Sequence, residues 1–313
     1  MTTASTSPPD VDDPPVPPGS RRRRKRSDRT DAAFYWMVVP AFVLFVVFHT
    51  VPVLQGVFYS FTDYAGYGDW SFVGLENYGY IFRDERIRDS YLFTFQFAIL
   101  STVLTNVAAL AIAVGLNSRI RFRTALRGIF FLPQVMSILV LGYIFNYLFS
   151  TTLPYLGQKL GSRTLSTSIL ADEDLAWVAI VVFAVWQATA FAVILYLAGL
   201  QTIPTELYEA ASIDGAGRWR QFRQITFPLI AAFFTINMVL SLKNFLQVFD
   251  HIIPLTAGGP GTSTESISMV IYRGGFQGGD FAYQTANAVL FFIVIVAFSL
   301  FQLRILMRRE VRA

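Results

Sequence analysis

The chain has no cysteine among its 313 residues and only two histidines, His49 and His251. Without cysteine it can form no disulfide, thiolate metal site or iron–sulfur cluster, and it has no thiol nucleophile. Two isolated histidines also exclude a zinc-binding helix motif and any histidine cluster. We therefore expect no metal site and no thiol-based catalytic residue in this chain.

Lysine, and charge in general, are equally scarce. The three lysines are Lys25, Lys159 and Lys243, and none follows a glycine, so the Gly-Lys-Ser/Thr sequence of a phosphate loop is absent. Charged residues make up 15% of the chain, against about 25% in soluble domains. Hydrophobic residues make up 54%, and the mean hydropathy is +0.48. The composition predicts a membrane protein that does not itself hydrolyse ATP.

Six apolar segments each approach the roughly 20 residues that a helix needs to cross a bilayer. They are 32–51, 92–116, 125–149, 175–200, 229–249 and 285–307. Continuous apolar runs favour helices, because lipid-facing barrel strands alternate between apolar and polar residues. The predicted fold is an all-α integral membrane protein with six transmembrane helices over residues 32–308.

Both ends of the chain are predicted to be tails. Within residues 1–31, the stretch 5–20 is rich in Pro, Ser and Asp and is followed by the basic block 21–26, a composition that favours disorder. A basic block directly before an apolar stretch is typical of a topology signal, and we favour that interpretation over nucleic-acid binding. Residues 309–313 form the C-terminal tail.

Lysine and arginine are distributed unevenly between the two sides of the predicted helices. The two tails and the loops around 119–127 and 218–223 carry 18 of them, whereas the three opposite loops carry 6. The positive-inside rule places the side that is richer in these residues in the cytoplasm. Both termini are therefore predicted to be cytoplasmic.

A polar segment separates the fourth and fifth predicted helices on the cytoplasmic side, and we call residues 200–228 the bracket. Gly215 is placed to end a short helix in a left-handed conformation. Trp219, Phe222 and Ile225 follow it at helical spacing. The predicted structure is two short helices around a glycine break.

The bracket resembles the coupling-loop signature of the permease subunits of binding-protein-dependent ABC importers. The matching residues are Glu209, Ala210, Ala211, Asp214, Gly215, Ala216, Phe222, Ile225 and Pro228. In that family the loop forms a helix that docks into a groove on the ATP-binding subunit. The resemblance implies that these residues couple this chain to a separate ATPase.

Two further segments narrow the family. Residues 72–78, Phe-Val-Gly-Leu-Glu-Asn-Tyr, and residues 255–261, Leu-Thr-Ala-Gly-Gly-Pro-Gly, resemble outer segments of maltose-type carbohydrate permeases. Each glycine taken singly is also explained by a tight turn. Ala257 and Ala282 depart from the family, which commonly has glycine at both positions. The resemblance extends from about residue 32 to the C-terminus.

The resemblance implies a function and a set of partners. The chain would be the permease subunit of an importer of a di- or oligosaccharide, and not an enzyme. Its partners would be a second permease subunit, two ATPase subunits, an extracytoplasmic solute-binding protein, the sugar and membrane lipid, with no nucleic acid. No cofactor is expected on this chain, because ATP and Mg would bind to the ATPase subunits. The location implied is the inner membrane of a bacterial or archaeal cell.

The fifth predicted helix carries a stripe of polar residues within an arc of about 120°. The stripe consists of Asn237, Ser241, Asn244 and Gln247. Such residues either hold helices together or line a translocation path, where amides and hydroxyls replace water around sugar hydroxyls. Trp186 and Gln187 on the fourth helix are further candidates for the path. Lys243 borders the stripe and needs a partner in lipid, for which Asp250 is the prediction.

Other classes of function are weighed against this one. An ion-coupled secondary transporter would place acidic residues at mid-membrane, and none lies in the middle of the six segments. A membrane-embedded enzyme would need a nucleophile, paired carboxylates or metal ligands within reach of each other. An importer of a related polar solute, such as a glycerol phosphate, stays open.

Overall fold

A computed structural model describes residues 28–118, 121–162 and 165–310. Within these ranges the chain forms helices and one isolated antiparallel bridge, between Thr62 and Phe72. The α-helices are α1 (Asp28–Phe45), α2 (Val51–Tyr59), α3 (Glu76–Ile81), α4 (Glu85–Asn117), α5 (Arg123–Val135), α6 (Ile138–Tyr147), α7 (Leu153–Lys159), α8 (Ala176–Leu200), α9 (Thr205–Ile213), α10 (Arg218–Gln221), α11 (Phe227–Leu229), α12 (Ala231–Leu246), α13 (Ile252–Leu255), α14 (Ile267–Phe276) and α15 (Phe281–Glu310). Single π-helical turns join α1 to α2, α6 to α7 and α10 to α11.

Five helical stretches are long and apolar enough to cross a membrane. They are Trp36–Tyr59, Glu85–Asn117, Ile138–Lys159, Ala176–Leu200 and Phe281–Leu306. Two further segments, Arg218–Leu229 and Ala231–Leu246, meet the same criteria together but are bent by 70° where they join. The all-α membrane fold is confirmed, with six spans if this bent pair counts as one.

The third predicted segment differs from the structure. The sequence predicted one helix over 125–149 followed by a loop, whereas α5 ends at Val135 and helix resumes at Ile138 and continues to Lys159. Pro133 lies in the last turn of α5 and has no N–H to donate, and Met136 and Ser137 are extended. The prediction of a loop directly after Phe149 is therefore wrong.

The chain divides into two units, one ending at Val53 and one beginning at Leu54. The first holds α1 and the start of α2. The predicted tail 1–31 lies outside the described residues up to residue 27, and α1 begins at Asp28. Of the predicted C-terminal tail, residues 311–313 also lie outside the described part.

In the second unit α4 packs along α8 through small side chains and also contacts α12. Ala109 and Ala113 of α4 are fully buried against Ala192 and Tyr196 of α8. Small residues allow close packing between helices in a membrane, where burial in lipid by itself provides no driving force. The same apolar cluster includes Ile203, at the start of the bracket, so the bracket is anchored to the helix bundle.

Candidate functional site

The first half of the bracket is a two-turn helix closed by a glycine cap. Gly215 follows α9 with φ of 74° and donates its N–H to the Ser212 carbonyl at 3.1 Å. The Ala216 N–H returns to the Ala211 carbonyl at 2.8 Å. These two bonds form a Schellman motif, which satisfies carbonyls that the end of a helix would otherwise leave free. The predicted left-handed cap at Gly215 is confirmed.

Side chains hold the second half of the bracket against the first. Gln221 donates through Nε2 to the Ser212 hydroxyl at 2.9 Å and to the Ala216 carbonyl at 3.0 Å. The hydroxyls of Tyr208 and Thr226 lie 2.9 Å apart. The predicted second helix is split into α10, a π-helical turn at Phe222–Thr226, and α11. The bracket is therefore a small folded unit.

The outer face of the bracket combines charge with exposed apolar groups. Ile213 is 87% exposed and Trp219 is 74% exposed. Of the residues matched to the coupling signature, Glu209, Ala210, Asp214 and Gly215 are exposed, whereas Ala211, Ala216, Phe222, Ile225 and Pro228 are partly buried. The bracket thus presents an amphipathic surface, the kind that binds a partner protein.

A cavity of about 320 Å³ lies between α8 and α12. Three of the four stripe residues line it, namely Asn237, Ser241 and Asn244. Gln187 lines it as well, from the middle of α8. The fourth stripe residue, Gln247, lies beyond the end of α12 and is not part of the lining.

Trp186 faces a different space. It lines an apolar groove of about 600 Å³ formed by α4, α5 and α8, and its ring packs against Phe145 with centroids 5.1 Å apart. The structure therefore separates the two α8 candidates, and only Gln187 shares the cavity with the stripe.

Hydrogen bonds fix part of the cavity wall. Asn237 donates to the Ala192 carbonyl at 3.2 Å, and Asn106 donates to the Ser241 hydroxyl at 3.4 Å. The Tyr196 hydroxyl in turn donates to Asn106 Oδ1 at 2.7 Å. Asn237 and Ser241 therefore both hold helices together and line the cavity, so the two interpretations made from sequence do not exclude each other.

Sequence reasoning missed several polar residues of this region. Asn106 and Tyr196 support the wall, while Gln134 and His251 belong to the lining. Asn106 is the one side-chain amide between Gln96 and the end of α4 at Asn117, a signal that could have been used. His251 lies 64 residues from its partner Gln187, a contact that no local pattern indicates.

The predicted pairing of Lys243 with Asp250 is wrong. Both side chains are exposed, and neither takes part in an ion pair among the described residues. The two positions are seven residues apart, and α12 ends at Leu246, so they do not share one helix face.

The two outer segments are held by buried polar contacts. Asn77 donates to the carbonyls of Ser60 and Thr62 at 2.9 and 2.8 Å, which closes the loop before α3. In the same loop Ser71 donates to Asp63 through its hydroxyl and its backbone N–H, which lowers the pKa of that carboxyl.

The second outer segment, residues 255–261, is held through the nearby Glu265, whose side chain is 1% exposed. Arg86 binds this carboxylate through Nε at 2.7 Å and Nη2 at 2.8 Å, and Arg273 approaches it at 3.4 Å. Arg273 also donates to the carbonyl of Ala257, which has a φ of 47°. These contacts tie the segment to α4 and α14, a structural role.

The chemistry of the site is that of recognition. Within the described residues the cavity lining offers amides, a hydroxyl and an imidazole, and no Asp, Glu, Lys or Arg. Among those residues no group of three or more His, Cys, Asp and Glu side chains could hold a metal ion. A helical membrane protein with a polar cavity between its helices and an exposed amphipathic bracket has the architecture of a transport permease.

The comparisons with known proteins agree with this class. The chain belongs to the family of binding-protein-dependent transport system inner membrane components, whose model matches residues 106–312. The predicted membership is thereby confirmed, and the family is one of transport components rather than enzymes. Membership of this family also excludes the alternative that the chain is an ion-coupled secondary transporter.

Relatives and structural neighbours lie within the same group. The chain is 33% identical over 278 residues to the probable starch degradation products transport system permease protein AmyD of Thermoanaerobacterium thermosulfurigenes, covering 88% of this chain and 95% of that protein. It is 36% identical over 282 residues to the multiple sugar-binding transport system permease protein MsmF of Streptococcus mutans, covering 88% and 97%. A bacterial ABC transporter involved in the import of the acidic polysaccharide alginate has a similar structure, with a TM-score of 0.79 at 25% identity over 90% of this chain and 96% of that one.

Proposed function

We propose that this chain is the permease subunit of an ATP-driven importer that takes up a di- or oligosaccharide. The similarity to sugar permeases over 88% of the chain supports the substrate class. The polar cavity supports it independently, because amides and hydroxyls can replace water around sugar hydroxyls. The observation that carries the proposal is the folded bracket, since it gives this chain a surface for an external source of energy.

The bracket docks onto a separate ATPase. Ile213 and Trp219 expose large apolar side chains at the end of the bundle predicted to be cytoplasmic, beside the acidic Glu209 and Asp214. Apolar groups rimmed by charge are typical of a protein interface. ATP and Mg bind to the ATPase subunits, and this chain binds no cofactor.

The complete importer contains a second permease subunit, two ATPase subunits and an extracytoplasmic solute-binding protein. The chain lies in the inner membrane of a bacterial or archaeal cell with both termini in the cytoplasm, as its distribution of Lys and Arg supports. ATP closes the ATPase dimer and moves the bracket together with the matching loop of the second permease subunit. The membrane helices then open outward to receive sugar. Hydrolysis reverses the movement.

Transport is tested by deleting this chain and measuring uptake of labelled mono-, di- and oligosaccharides. We expect uptake of at least one sugar to be lost and to return with the wild-type chain. Unchanged uptake of every sugar in the panel would contradict the proposal.

Docking is tested by Glu209→Lys, which reverses a charge on the exposed face of α9. We expect co-purification of the ATPase and sugar uptake both to fall at least tenfold, because loss of a charged interface contact typically costs about 1.4 kcal/mol or more. Glu206→Lys is the matched control, since Glu206 is also an exposed glutamate of α9 but lies outside the coupling signature. The coupling role assigned to Glu209 would be contradicted if the two changes had equal effects, or if neither change had an effect.

A further inference from the structure

His251 and Gln187 form a hydrogen-bonded pair in the wall of the cavity. The His251 Nε2 lies 2.9 Å from the Gln187 Oε1, and both residues belong to the lining. The imidazole packs edge-on against the fully buried ring of Phe183, with centroids 5.2 Å apart. The pair joins the chain beyond α12 to the middle of α8.

The chemistry of the two groups fixes which atoms stay available. An amide oxygen only accepts, so the imidazole donates through Nε2. In the uncharged ring Nδ1 is then an acceptor, and the Gln187 amide keeps both N–H donors. Among the described residues neither Nδ1 nor the Gln187 amide nitrogen has another hydrogen-bond partner. The pair therefore retains one acceptor and two donors that have no partner among the described residues.

The charge of the cavity limits what can use this pair. As described above, the lining holds no formally charged side chain, and the nearby Lys243 and Asp250 are exposed outside it. A sugar hydroxyl both donates and accepts, so it satisfies both members of the pair. A phosphate or carboxylate only accepts; it would face the Nδ1 lone pair without a compensating cation.

We infer that His251 is a positioning and specificity residue, which orients the Gln187 amide and selects an uncharged polyhydroxyl ring over an anionic one. This inference rests on the proposed function and deepens it. It separates this chain from the alginate transporter of similar structure, which imports an acidic polysaccharide. It predicts that a glycerol phosphate binds more weakly than a neutral sugar.

The test uses the assembled transporter, purified in nanodiscs without its solute-binding protein. Binding of maltose, trehalose, sn-glycerol 3-phosphate and glucuronate is followed by saturation-transfer NMR. For the wild type we expect a signal from a neutral sugar and none from the two anions. His251→Phe keeps an aromatic ring on Phe183 but removes both nitrogens, so Kd for the neutral sugar should rise about 3- to 10-fold.

Two further variants separate positioning from general damage. His251→Gln retains an amide donor and an acceptor, and its Kd should stay within about threefold of the wild type. His49→Phe alters the chain's other histidine, which stacks on Phe45 in the first unit, and should leave Kd unchanged. Thermal unfolding of each variant checks that the complex is intact.

Three results would overturn the inference. These are an unchanged Kd in His251→Phe, binding of either anion as tight as that of the sugars, and a wild type that binds neither neutral probe. If uptake in cells still requires this chain, such a result leaves the proposed function standing. If deletion of the chain leaves uptake of every sugar intact, the proposed function itself fails.

Discussion

At Gly215 only the backbone conformation disfavours a side chain. Its φ is 74°, and no heavy atom lies within 4 Å of where a Cβ would stand. We expect Gly215→Ala to destabilise the bracket by about 1 kcal/mol, because only the left-handed conformation opposes the change. Co-purification of the ATPase should weaken accordingly, and Gly215→Asn should restore part of it, since asparagine tolerates this conformation.

Gly217→Ala is the control for this prediction. Gly217 has equally open surroundings, but its φ is −68°, which any residue can adopt. The Gly217→Ala variant should therefore bind the ATPase as the wild type does. Equal loss in the two alanine variants would mean that the surface, and not the cap, requires glycine.

Residues differ in how far the sequence alone could place them. The role of Gly215 depends on neighbours within five positions, so local chemistry was sufficient to predict its conformation. Ala257 adopts a positive φ without being glycine, held by a hydrogen bond from Arg273, 16 residues away. His251 could not be placed in the cavity because its partner lies on another helix.

Among the helices, α6 and α13 approach closely at Gly142. A Cβ added there would overlap the ring of Pro254, with the Pro254 Cβ only 2.8 Å away. Beside it Asn146 donates to the Leu255 carbonyl at 2.7 Å. We expect Gly142→Ala to lower the free energy of unfolding by about 1–3 kcal/mol, because a proline ring on a short helix cannot rotate away. Thermal unfolding in detergent measures the loss.

Gly128→Ala provides the comparison in a helix with free space. Gly128 lies within α5, and nothing lies within 4 Å of an added Cβ. Alanine there should stabilise by about 0.5–1 kcal/mol, since it loses less backbone entropy than glycine. A Gly142→Ala variant as stable as Gly128→Ala would show that the α6–α13 contact is not tight.

Hydropathy predicted the number of membrane spans better than the residues at which their helices begin and end. The segment 125–149 is apolar on average, so hydropathy alone did not mark the break at Met136 and Ser137, which Pro133 precedes. The stripe was predicted as four residues of one helix, but α12 ends at Leu246 and leaves Gln247 outside. Periodicity indicates a face only while the helix lasts, and tertiary packing decides where it ends.

For the chain as a whole, the predicted orientation can be tested because there is no native cysteine. Gly79 and Gly217 are exposed glycines with open surroundings, so a cysteine fits at either. A membrane-impermeant maleimide should label Gly79→Cys in intact cells and Gly217→Cys only after permeabilisation. The physical reason is the excess of Lys and Arg on the side of the bracket.

The reverse labelling pattern would place the bracket outside the cell and remove it from any ATPase. Labelling of both sites in intact cells would instead indicate that the cells are leaky. The cysteine-free wild type cannot reveal a leak, so labelling of a cytosolic marker protein serves as the control.

A 70° bend separates α12 from the last part of the bracket, so a rotation about this bend would displace the far end of α12. Ile230 lies at this bend and is fully buried in the same apolar cluster as Leu200 and Ile203. Asn244 lies 14 residues beyond Ile230, at a distance of about 20 Å along the axis. A rotation of α12 by roughly 5° about Ile230 would move Asn244 by about 2 Å, given that length. A small rotation at the bracket would thus be enough to make or break a hydrogen bond in the cavity.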